Sequence, residues 1–239
     1  MLKRLAVGVL LGFGLGFSAS LTDLLNSVQN QITDYEQQGL AIEQPYTYTV
    51  LKKYYRYGKL FASYGLLQPA NDLLSLASCA VAPVNCNPHK YFLQNMPINY
   101  YYFYKKKVPI ALANLETDYN AYAEWWIKAY VDNDQTYREY ENLAGILRSN
   151  FLKSFETFMS AVSKPVPFFI ANNLRPNDFF LLRTLTSLYY DGKIKQIVFC
   201  GDRGNFIYLI QKGLLPRNTV YKNPPTMRNC DKVSLIWIY

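Results

Sequence analysis

The sequence predicts an α+β fold in which a helical N-terminal region precedes a small α/β domain. Three observations lead to this prediction. Apolar residues recur every three or four positions through much of residues 21–163, as on one face of a helix. Residues 165–213 then alternate between strand and helix patterns. Half of the 239 residues are apolar, which is enough to bury a sizeable core. The predicted division is therefore into residues 21–163 and residues 164–239.

Residues 1–20 have the pattern of a secretory signal peptide. Lys3 and Arg4 precede an apolar run over residues 5–17, and small residues follow that run. The run is shorter than the roughly twenty apolar residues of a membrane-spanning helix. The sequence therefore predicts cleavage near Ser20 and a periplasmic or secreted protein. Retention of the segment as an uncleaved anchor is the alternative.

The chain is basic and unusually rich in tyrosine. Its formal net charge is +8, and loss of Lys3 and Arg4 leaves +6. The 22 tyrosines combine an apolar ring with a polar hydroxyl group, which suits contact with other proteins. An anionic membrane surface is a second possible partner, whereas export argues against nucleic acid. We therefore expect other envelope proteins as partners, and the sequence makes no prediction of oligomeric state.

The helical region is predicted to begin with a helix over residues 21–38 that ends at Gly39. A capping box of Thr136 with Glu139 is expected at the start of the last helix. The other helices are predicted over residues 47–67, from 69 to about 79, over 110–131, and from 136 to the stop at Pro165.

Two basic and aromatic stretches are candidate contact surfaces. Cations alternate with tyrosines in the helix predicted over residues 47–67, and residues 99–104 (NYYYFY) precede three lysines. The cations are Lys52, Lys53, Arg56, Lys59, Lys105, Lys106 and Lys107. Such a surface suits an anionic membrane or a phosphate backbone, or it is a solvated helix whose tyrosines pack inward. Residues 99–104 are expected to form an aromatic edge strand or a partner-contact surface.

The α/β domain begins with a strand–helix–strand–helix pattern. Its segments are predicted over residues 166–171, 177–190, 194–199 and 206–213. This order predicts that the two strands form a parallel pair with a right-handed crossover. A short strand over residues 219–221 and a final strand over residues 232–239 follow. We expect a partner or the N-terminal helices to cover the final strand.

Four cysteines lie after the predicted signal peptide, which indicates disulfides in an exported protein. Three pairings are possible. The preferred one joins neighbours within each predicted region, Cys79 with Cys86 and Cys200 with Cys230. No two cysteines are spaced Cys-x-x-Cys, so the redox motif and the zinc ribbon are absent from the sequence. The lone histidine, His89, supplies too few ligands with Cys86 for structural zinc, and no metal or cofactor is predicted.

No catalytic constellation is evident in the sequence, which therefore predicts a protein that is not an enzyme. The enzymatic alternative uses Cys200, which precedes a polar turn containing Asp202 and Arg203. Arg203 would lower the pKa of the Cys200 thiol. A cysteine nucleophile usually needs a histidine base, however, and His89 is far away in sequence.

The order of segments after residue 165, with the Pro225-Thr226 turn before an apolar strand, is similar to a thioredoxin fold. In that fold the turn after the first strand carries the redox cysteines, whereas residues 172–178 contain no cysteine. Residues 130–161 serve as a lead-in helix and residues 167–202 as the βαβ unit. The arrangement resembles the cysteine-less, thioredoxin-like periplasmic proteins that assemble the pilus in F-type conjugative transfer, a form of type IV secretion.

The resemblance implies an exported, non-enzymatic envelope protein that acts as a protein-binding scaffold or assembly factor of a conjugation or secretion apparatus. Two features differ from the thioredoxin pattern. Residues 229–231 separate the Pro225-Thr226 turn from the strand that follows it, and the usual final helix is absent from the sequence. The polar turns of the α/β domain are the expected partner-binding positions. They contain Asn172, Asn173, Arg175, Asp178, Asp202 and Arg203.

Overall fold

The computed structural model describes residues 20–82, 86, 90–162, 165–223 and 234–238, and these residues have an α+β fold. They form eleven α-helices, a π-helical turn at Ile127–Val131 and four strands. The helices are α1 (Leu21–Gln37), α2 (Leu40–Glu43), α3 (Pro45–Ser63), α4 (Leu67–Val81), α5 (Phe92–Asn95), α6 (Ile98–Lys107), α7 (Pro109–Trp126), α8 (Gln135–Glu139), α9 (Glu141–Ala161), α10 (Pro176–Tyr190) and α11 (Arg203–Gln211). The strands are β1 (Val166–Ile170), β2 (Ile197–Cys200), β3 (Val220–Lys222) and β4 (Ser234–Ile238).

Helix α1 begins with the capping box that its sequence allows. The Asp23 N–H donates to Ser20 Oγ at 3.1 Å, and the Ser20 N–H donates to Asp23 Oδ2 at 3.1 Å. The helix ends before Gly39, whose φ of 73° lies in the left-handed region that glycine adopts easily. Residues 1–19 of the predicted signal peptide lie outside the described residues. Among the described helices, none is long and apolar enough to cross a membrane.

Helix α7 is the central helix of the helical region, and α3, α6 and α9 all pack against it. Its Leu112, Leu115 and Tyr119 are buried in the core. Pro109 stands in the first turn, where a helix leaves backbone N–H groups unpaired in any case. The helix predicted over residues 110–131 is therefore confirmed as far as Trp126, after which the backbone widens into the π-helical turn.

Residues 98–107 form helix α6, so the predicted aromatic edge strand is wrong. Tyr101 and Tyr104 stand three positions apart and are both buried, which gives the helix a face that packs against the core. The three lysines at 105–107 occupy its last turn, where positive charge is favoured by the partial negative charge of the free carbonyl groups.

The single helix predicted from residue 136 to Pro165 is interrupted at Tyr140, which separates α8 from α9. The predicted capping role of Thr136 is wrong. Asp134 caps α8 instead, because its carboxylate accepts a hydrogen bond from the Thr136 N–H at 3.0 Å.

The strands form one mixed sheet in the order β1-β4-β2-β3. Strand β4 runs antiparallel to both of its neighbours, β1 and β2, whereas β2 and β3 are parallel. Strands β1 and β2 therefore run parallel in one sheet, as predicted for β1–α10–β2, but they are not hydrogen-bonded to each other because β4 lies between them. The parallel neighbours joined by a helix are β2 and β3, with α11 between them in the chain.

The final strand occupies an interior position in the sheet. Leu235, Ile236 and Ile238 are buried, and β4 has a hydrogen-bonded neighbour on each side. A partner or the N-terminal helices were expected to cover this strand, and in the structure β1 and β2 pair with both of its edges. The Pro225-Thr226 turn and residues 229–231, which entered the thioredoxin comparison, lie outside the described residues.

Helices of the N-terminal region contact the α/β part of the chain through buried side chains at the start of α10. The Phe180 ring packs against the rings of Tyr119 at 4.9 Å and Tyr122 at 5.3 Å between centroids. Beside it, the Tyr119 hydroxyl lies 3.0 Å from Asn95 Oδ1 and 2.9 Å from Asn177 Oδ1. Helices α5, α7 and α10 are therefore joined by one cluster of rings and polar groups.

Three of the five tyrosines of α3, at positions 46, 54 and 57, point inward, while Tyr48 and Tyr55 are half-buried. Tyr54 and Tyr57 are buried. The Tyr54 hydroxyl accepts a hydrogen bond from Asn120 Nδ2 at 2.6 Å, and the Tyr46 hydroxyl donates to the Glu116 carboxylate. Burial raises the pKa of Tyr46 and Tyr54, and the Glu116 carboxylate raises both further.

Candidate functional site

A concave surface lined by aromatic rings lies between α7, α9 and α10, and we call it the aromatic groove. It encloses about 980 Å³. Five aromatic side chains and two arginines give it its character, and small or aliphatic residues complete it. It is lined by Tyr122, Trp125, Trp126, Tyr130, Val131, Ala144, Gly145, Arg148, Leu174, Pro176, Phe179 and Arg183.

The π-helical turn forms one rim of the aromatic groove. The Asp132 N–H donates to the Ile127 carbonyl at 2.9 Å, five residues back, so the turn holds one residue more than an α-helical turn. Arg138 Nε donates to the Ala129 carbonyl at 2.6 Å, and its guanidinium lies over the Tyr130 ring. The widened turn leaves the Tyr130 side chain 55% exposed at the rim. Single π-helical turns inside helices often occur at functional sites.

The tryptophan pair has two different roles in this groove. Trp125 is buried, and its indole N–H donates to the Tyr137 carbonyl at 2.9 Å, so it anchors the groove wall. Trp126 is half-buried, and its ring contacts those of Phe180 and Tyr130 at 5.9 Å and 5.5 Å between centroids. Trp125 therefore stabilises the groove wall, while Trp126 presents part of its ring to the groove.

The two arginines give the aromatic groove a positive potential. Arg148 reaches Ser187 Oγ at 3.3 Å and Asp191 Oδ2 at 3.5 Å, which are long contacts at an exposed position. Arg183 is exposed and forms no hydrogen bond or ion pair with any described residue. Among the described residues that line the groove there is no carboxylate. An acidic group could therefore approach Arg183 without meeting a like charge from the lining residues, whereas Asp191 lies beside Arg148.

A second concavity, which we call the cationic groove, lies on α7 between α3 and α9 and encloses about 730 Å³. Lys52, Lys53 and Arg56 of the predicted basic surface line it, together with Lys153 of α9. Its other lining residues are Tyr48, Thr49, Tyr57, Leu60, Ile110, Asn114, Asp118, Asn150, Ser154 and Thr157.

A buried ion pair forms the floor of the cationic groove. Lys53 Nζ lies 2.6 Å from Asp118 Oδ1 and 2.7 Å from Oδ2, and the Tyr57 hydroxyl donates to the same carboxylate. The Asp118 side chain is only 2% exposed. Burial lowers the pKa of Lys53 despite the opposing effect of Asp118, and the nearby charge of Arg56 lowers it further.

No protein-family model matches the chain, and no curated protein or solved structure matches it either.

The remaining residues of the predicted basic surface lie outside the cationic groove. Lys59 lines an adjoining hollow that shares Lys52 and Arg56 with the cationic groove and also contains Glu36, and its ammonium group lies over the Tyr55 ring. Lys105 Nζ lies 4.4 Å from the centre of the Tyr46 ring, while Lys106 and Lys107 are exposed at the end of α6. The structure therefore divides the predicted surface into separate parts.

The predicted partner-binding turns differ in accessibility. Asn172 and Asn173 are exposed beside a smaller concavity of about 380 Å³, where the Asn172 side-chain oxygen accepts from Asn205 Nδ2 at 3.3 Å. Asp202 caps α11 by accepting from the Asn205 N–H at 3.0 Å. Arg203, in the first turn of α11, is exposed and forms no contact of this kind with a described residue.

Asp178 has a structural role, which corrects its prediction as a partner-binding residue. It is completely buried. Its carboxylate accepts from the Arg175 N–H at 2.8 Å and from Asn95 Nδ2 at 2.7 Å. Arg175 also donates to the Gln94 carbonyl at 2.9 Å. These bonds fix the start of α10 against α5, so Asp178 is inaccessible to a partner, whereas the Arg175 side chain is partly exposed.

The cysteines are consistent with an oxidised protein. Cys79 and Cys86 form a disulfide, which confirms that predicted pair. Cys200 is also disulfide-bonded and completely buried, while Cys230, its predicted partner, lies outside the described residues. A disulfide-bonded sulfur is not a thiolate, so the structure gives Cys200 no form in which it could act as a nucleophile.

The described residues hold no group of three or more histidine, cysteine, aspartate or glutamate side chains that could bind a metal. His89 lies outside them.

The aromatic groove was not predicted from the sequence. Of the cationic groove, only the α3 cations Lys52, Lys53 and Arg56 were predicted. Arg148, Arg183 and Lys153 stood in predicted helices without any signal that their faces converge. One signal for the cationic groove was available. Asp118 occupies a position within the apolar period of α7, and a carboxylate there needs a buried partner such as Lys53.

Proposed function

We propose that this protein is a non-enzymatic scaffold that binds a partner protein through the aromatic groove. The observation that supports this function is a groove lined by tyrosine, tryptophan and arginine without a carboxylate among its described lining residues. The occupant would be a segment of a partner protein with an aromatic or large aliphatic side chain next to acidic residues.

The residue types in the groove are those that dominate protein interfaces. Tyrosine, tryptophan and arginine are enriched in the buried centres of interfaces and among the residues that contribute most of the binding energy. Trp126 and Tyr130 are held by ring contacts on one side and are accessible on the other. Little side-chain freedom would be lost when a partner covers them, which favours affinity.

Charge complementarity favours an acidic segment. Arg183 has no ionic partner among the described residues, and Arg148 has only long contacts at an exposed position. A guanidinium group can bind a carboxylate through two parallel hydrogen bonds. A partner with aspartate or glutamate flanking its apolar anchor would satisfy both arginines at once.

The proposal places this scaffold in the cell envelope. The signal-peptide pattern supports export, and the disulfide between Cys79 and Cys86 suits an oxidising compartment. The sequence resemblance supports a role in assembling a conjugation or secretion apparatus. The parallel pair β2–α11–β3 within a mixed sheet is the part of the structure that supports a thioredoxin-like domain.

The proposal can be tested with peptides selected on the full chain from a phage-displayed random library. We expect the enriched sequences to combine an aromatic or aliphatic anchor with acidic neighbours. A Cβ at Gly145 would meet nothing within 4 Å, so Gly145→Tyr fills the groove without displacing core atoms, and Gly145→Ala is the matched control. Gly145→Tyr and Arg183→Glu should each weaken binding by about tenfold or more, as loss of an interface anchor or a charge pair does.

Two controls make the result decisive. Gly145→Ala should bind as tightly as the unchanged protein, and so should Lys195→Glu, which alters charge at an exposed position outside the groove. Peptides that bind the Gly145→Tyr variant with unchanged affinity would show that the aromatic groove is not the binding site.

A further inference from the structure

A second binding site is indicated by the cationic groove, which lies nearer the N-terminal end of α7 than the aromatic groove. We propose that the cationic groove binds a phosphate group that carries two negative charges, as the headgroup of a lipid or as part of a soluble phosphate ester. This inference is independent of the proposed protein-binding function, because the two grooves have no lining residue in common.

The charges of the groove leave two cations without a counter-charge. Lys53 is paired with Asp118, and Lys52 lies 3.7 Å from Glu36 at the rim. Arg56 on α3 and Lys153 on α9 are exposed and form no ion pair or side-chain hydrogen bond with any described residue. The uncompensated charge of about +2 on the groove walls matches a phosphate group, which carries about −1.5 to −2 at neutral pH.

The geometry of the groove also suits a phosphate group. Arginine binds phosphate through paired N–H groups and lysine binds it as a point charge, so the two residue types are complementary. The amide of Asn150 lines the groove next to Lys153 on α9, and its second N–H can act as a further donor. A volume of about 730 Å³ accommodates a phosphate group together with a larger organic part, for which Leu60 and Ile110 supply apolar surface.

The buried ion pair helps to keep the groove in place. Asp118 holds Lys53 at the floor, and the Tyr57 hydroxyl, which donates to Asp118, accepts from Asn150 Nδ2 at 3.3 Å. This chain of contacts joins α3, α7 and α9 below the two unpaired cations. The cations are therefore presented by walls whose separation is already set before a ligand binds, which lowers the entropic cost of binding.

The test uses inorganic pyrophosphate as the soluble probe and vesicles that contain phosphatidic acid, whose phosphate monoester can carry two negative charges, as the lipid probe. Both are used at low salt because screening weakens such contacts. The variant Arg56→Glu/Lys153→Glu reverses the two unpaired charges. We expect it to lose binding of one probe by about tenfold or more, a loss of about 1.4 kcal/mol. Loss of pyrophosphate binding would identify a soluble phosphate ester, and loss of vesicle binding alone would identify a lipid headgroup.

The matched control is Lys106→Glu/Lys195→Glu, which changes the net charge equally at exposed lysines outside the groove. It should keep at least most of the binding. If both double variants lose binding to the same degree, or if the unchanged protein binds neither probe, the proposal is overturned. Circular dichroism melting curves establish that each variant is folded, which is expected because all four side chains are exposed.

Discussion

The aromatic and cationic grooves are built on the same central helix but use opposite kinds of surface. The C-terminal part of α7 contributes Tyr122, Trp125 and Trp126 to the aromatic groove. The N-terminal part contributes Ile110, Asn114 and Asp118 to the cationic groove. In the first groove the charges stand at the rim above packed rings. In the second, the ion pair of Lys53 and Asp118 forms part of the floor, so the same residues contribute to the proposed binding and to stability.

Because of this difference, a substitution in the cationic groove changes both stability and binding, whereas one in the aromatic groove can change binding alone. In the cationic groove, changing the Asp118–Lys53 pair alters folding as well as binding, because both groups are largely removed from water. In the aromatic groove, the open wall at Gly145 can be changed with little effect on packing. The predictions below test this contrast, beginning with the largest expected effect.

The buried tyrosines around the cationic groove should make the protein sensitive to alkali. Burial raises the pKa of Tyr46, Tyr54 and Tyr57 above the ordinary value of 10.0, and the carboxylates of Glu116 or Asp118 raise them further. Above pH 10 the unfolded chain loses these protons while the folded chain keeps them, so the free energy of unfolding falls as pH rises. Each such tyrosine contributes about 1.4 kcal/mol per pH unit.

Urea unfolding between pH 8 and pH 11.5, followed with tyrosine absorbance, measures this effect. The lowered pKa of Lys53 acts in the opposite direction below its ordinary 10.5, but it is one group against several tyrosines. A free energy of unfolding that stays constant from pH 10 to pH 11.5 would contradict the prediction.

Replacing Asp118 should destabilise the protein more than any substitution in the aromatic groove named here. Asp118→Ala leaves the Lys53 ammonium group in a largely buried site without its counter-charge and removes the acceptor of the Tyr57 hydroxyl. We expect a loss of about 3 kcal/mol in the free energy of unfolding, measured with urea at pH 7. The double variant Lys53→Met/Asp118→Leu should recover much of this loss. If it is no more stable than Asp118→Ala, the unpaired charge is not the cause.

Two helical glycines should respond to alanine in opposite directions. A Cβ at Gly58 would lie 2.5 Å from Leu74 Cγ where α3 packs on α4, so Gly58→Ala should cost about 1–3 kcal/mol through overpacking. At Gly145, on the open groove wall, a Cβ meets nothing within 4 Å, and Gly145→Ala should add about 0.5–1 kcal/mol because alanine favours helix. Thermal unfolding of both variants checks the signs, and a loss of stability at Gly145 would show that the wall is not open.

Local patterns predicted the individual helices better than their arrangement. The apolar period and the boundary residues placed α1 and α10 closely, because Gly39 and Pro176 mark helix ends through backbone geometry alone. Helix α6 was mistaken for a strand because tyrosine and phenylalanine favour strands, and only packing on α7 decides otherwise. The pairing of β1 was mistaken because its true neighbour, β4, lies more than sixty residues later.

The candidate sites show the same limit. Lys52, Lys53 and Arg56 share one helix, so the sequence could indicate them as a group. Asp118 and Lys153, which complete the groove, lie on helices far along the chain. Whether their side chains face the α3 cations depends on how α3 and α9 pack on α7. The aromatic groove depends on three helices and a π-helical turn, for which a single sequence has no reliable signal.

The interior position of β4 also affects how the chain can fold as it is made. Strands β1 and β2 leave the ribosome well before residues 234–238, yet neither pairs with the other, because β4 lies between them. The sheet therefore cannot close until the last of its four strands has been synthesised. The helical region, whose contacts are nearer in sequence, can form earlier and hold the growing chain in place. Until residues 234–238 are available, β1 and β2 lack the strand with which both of them pair.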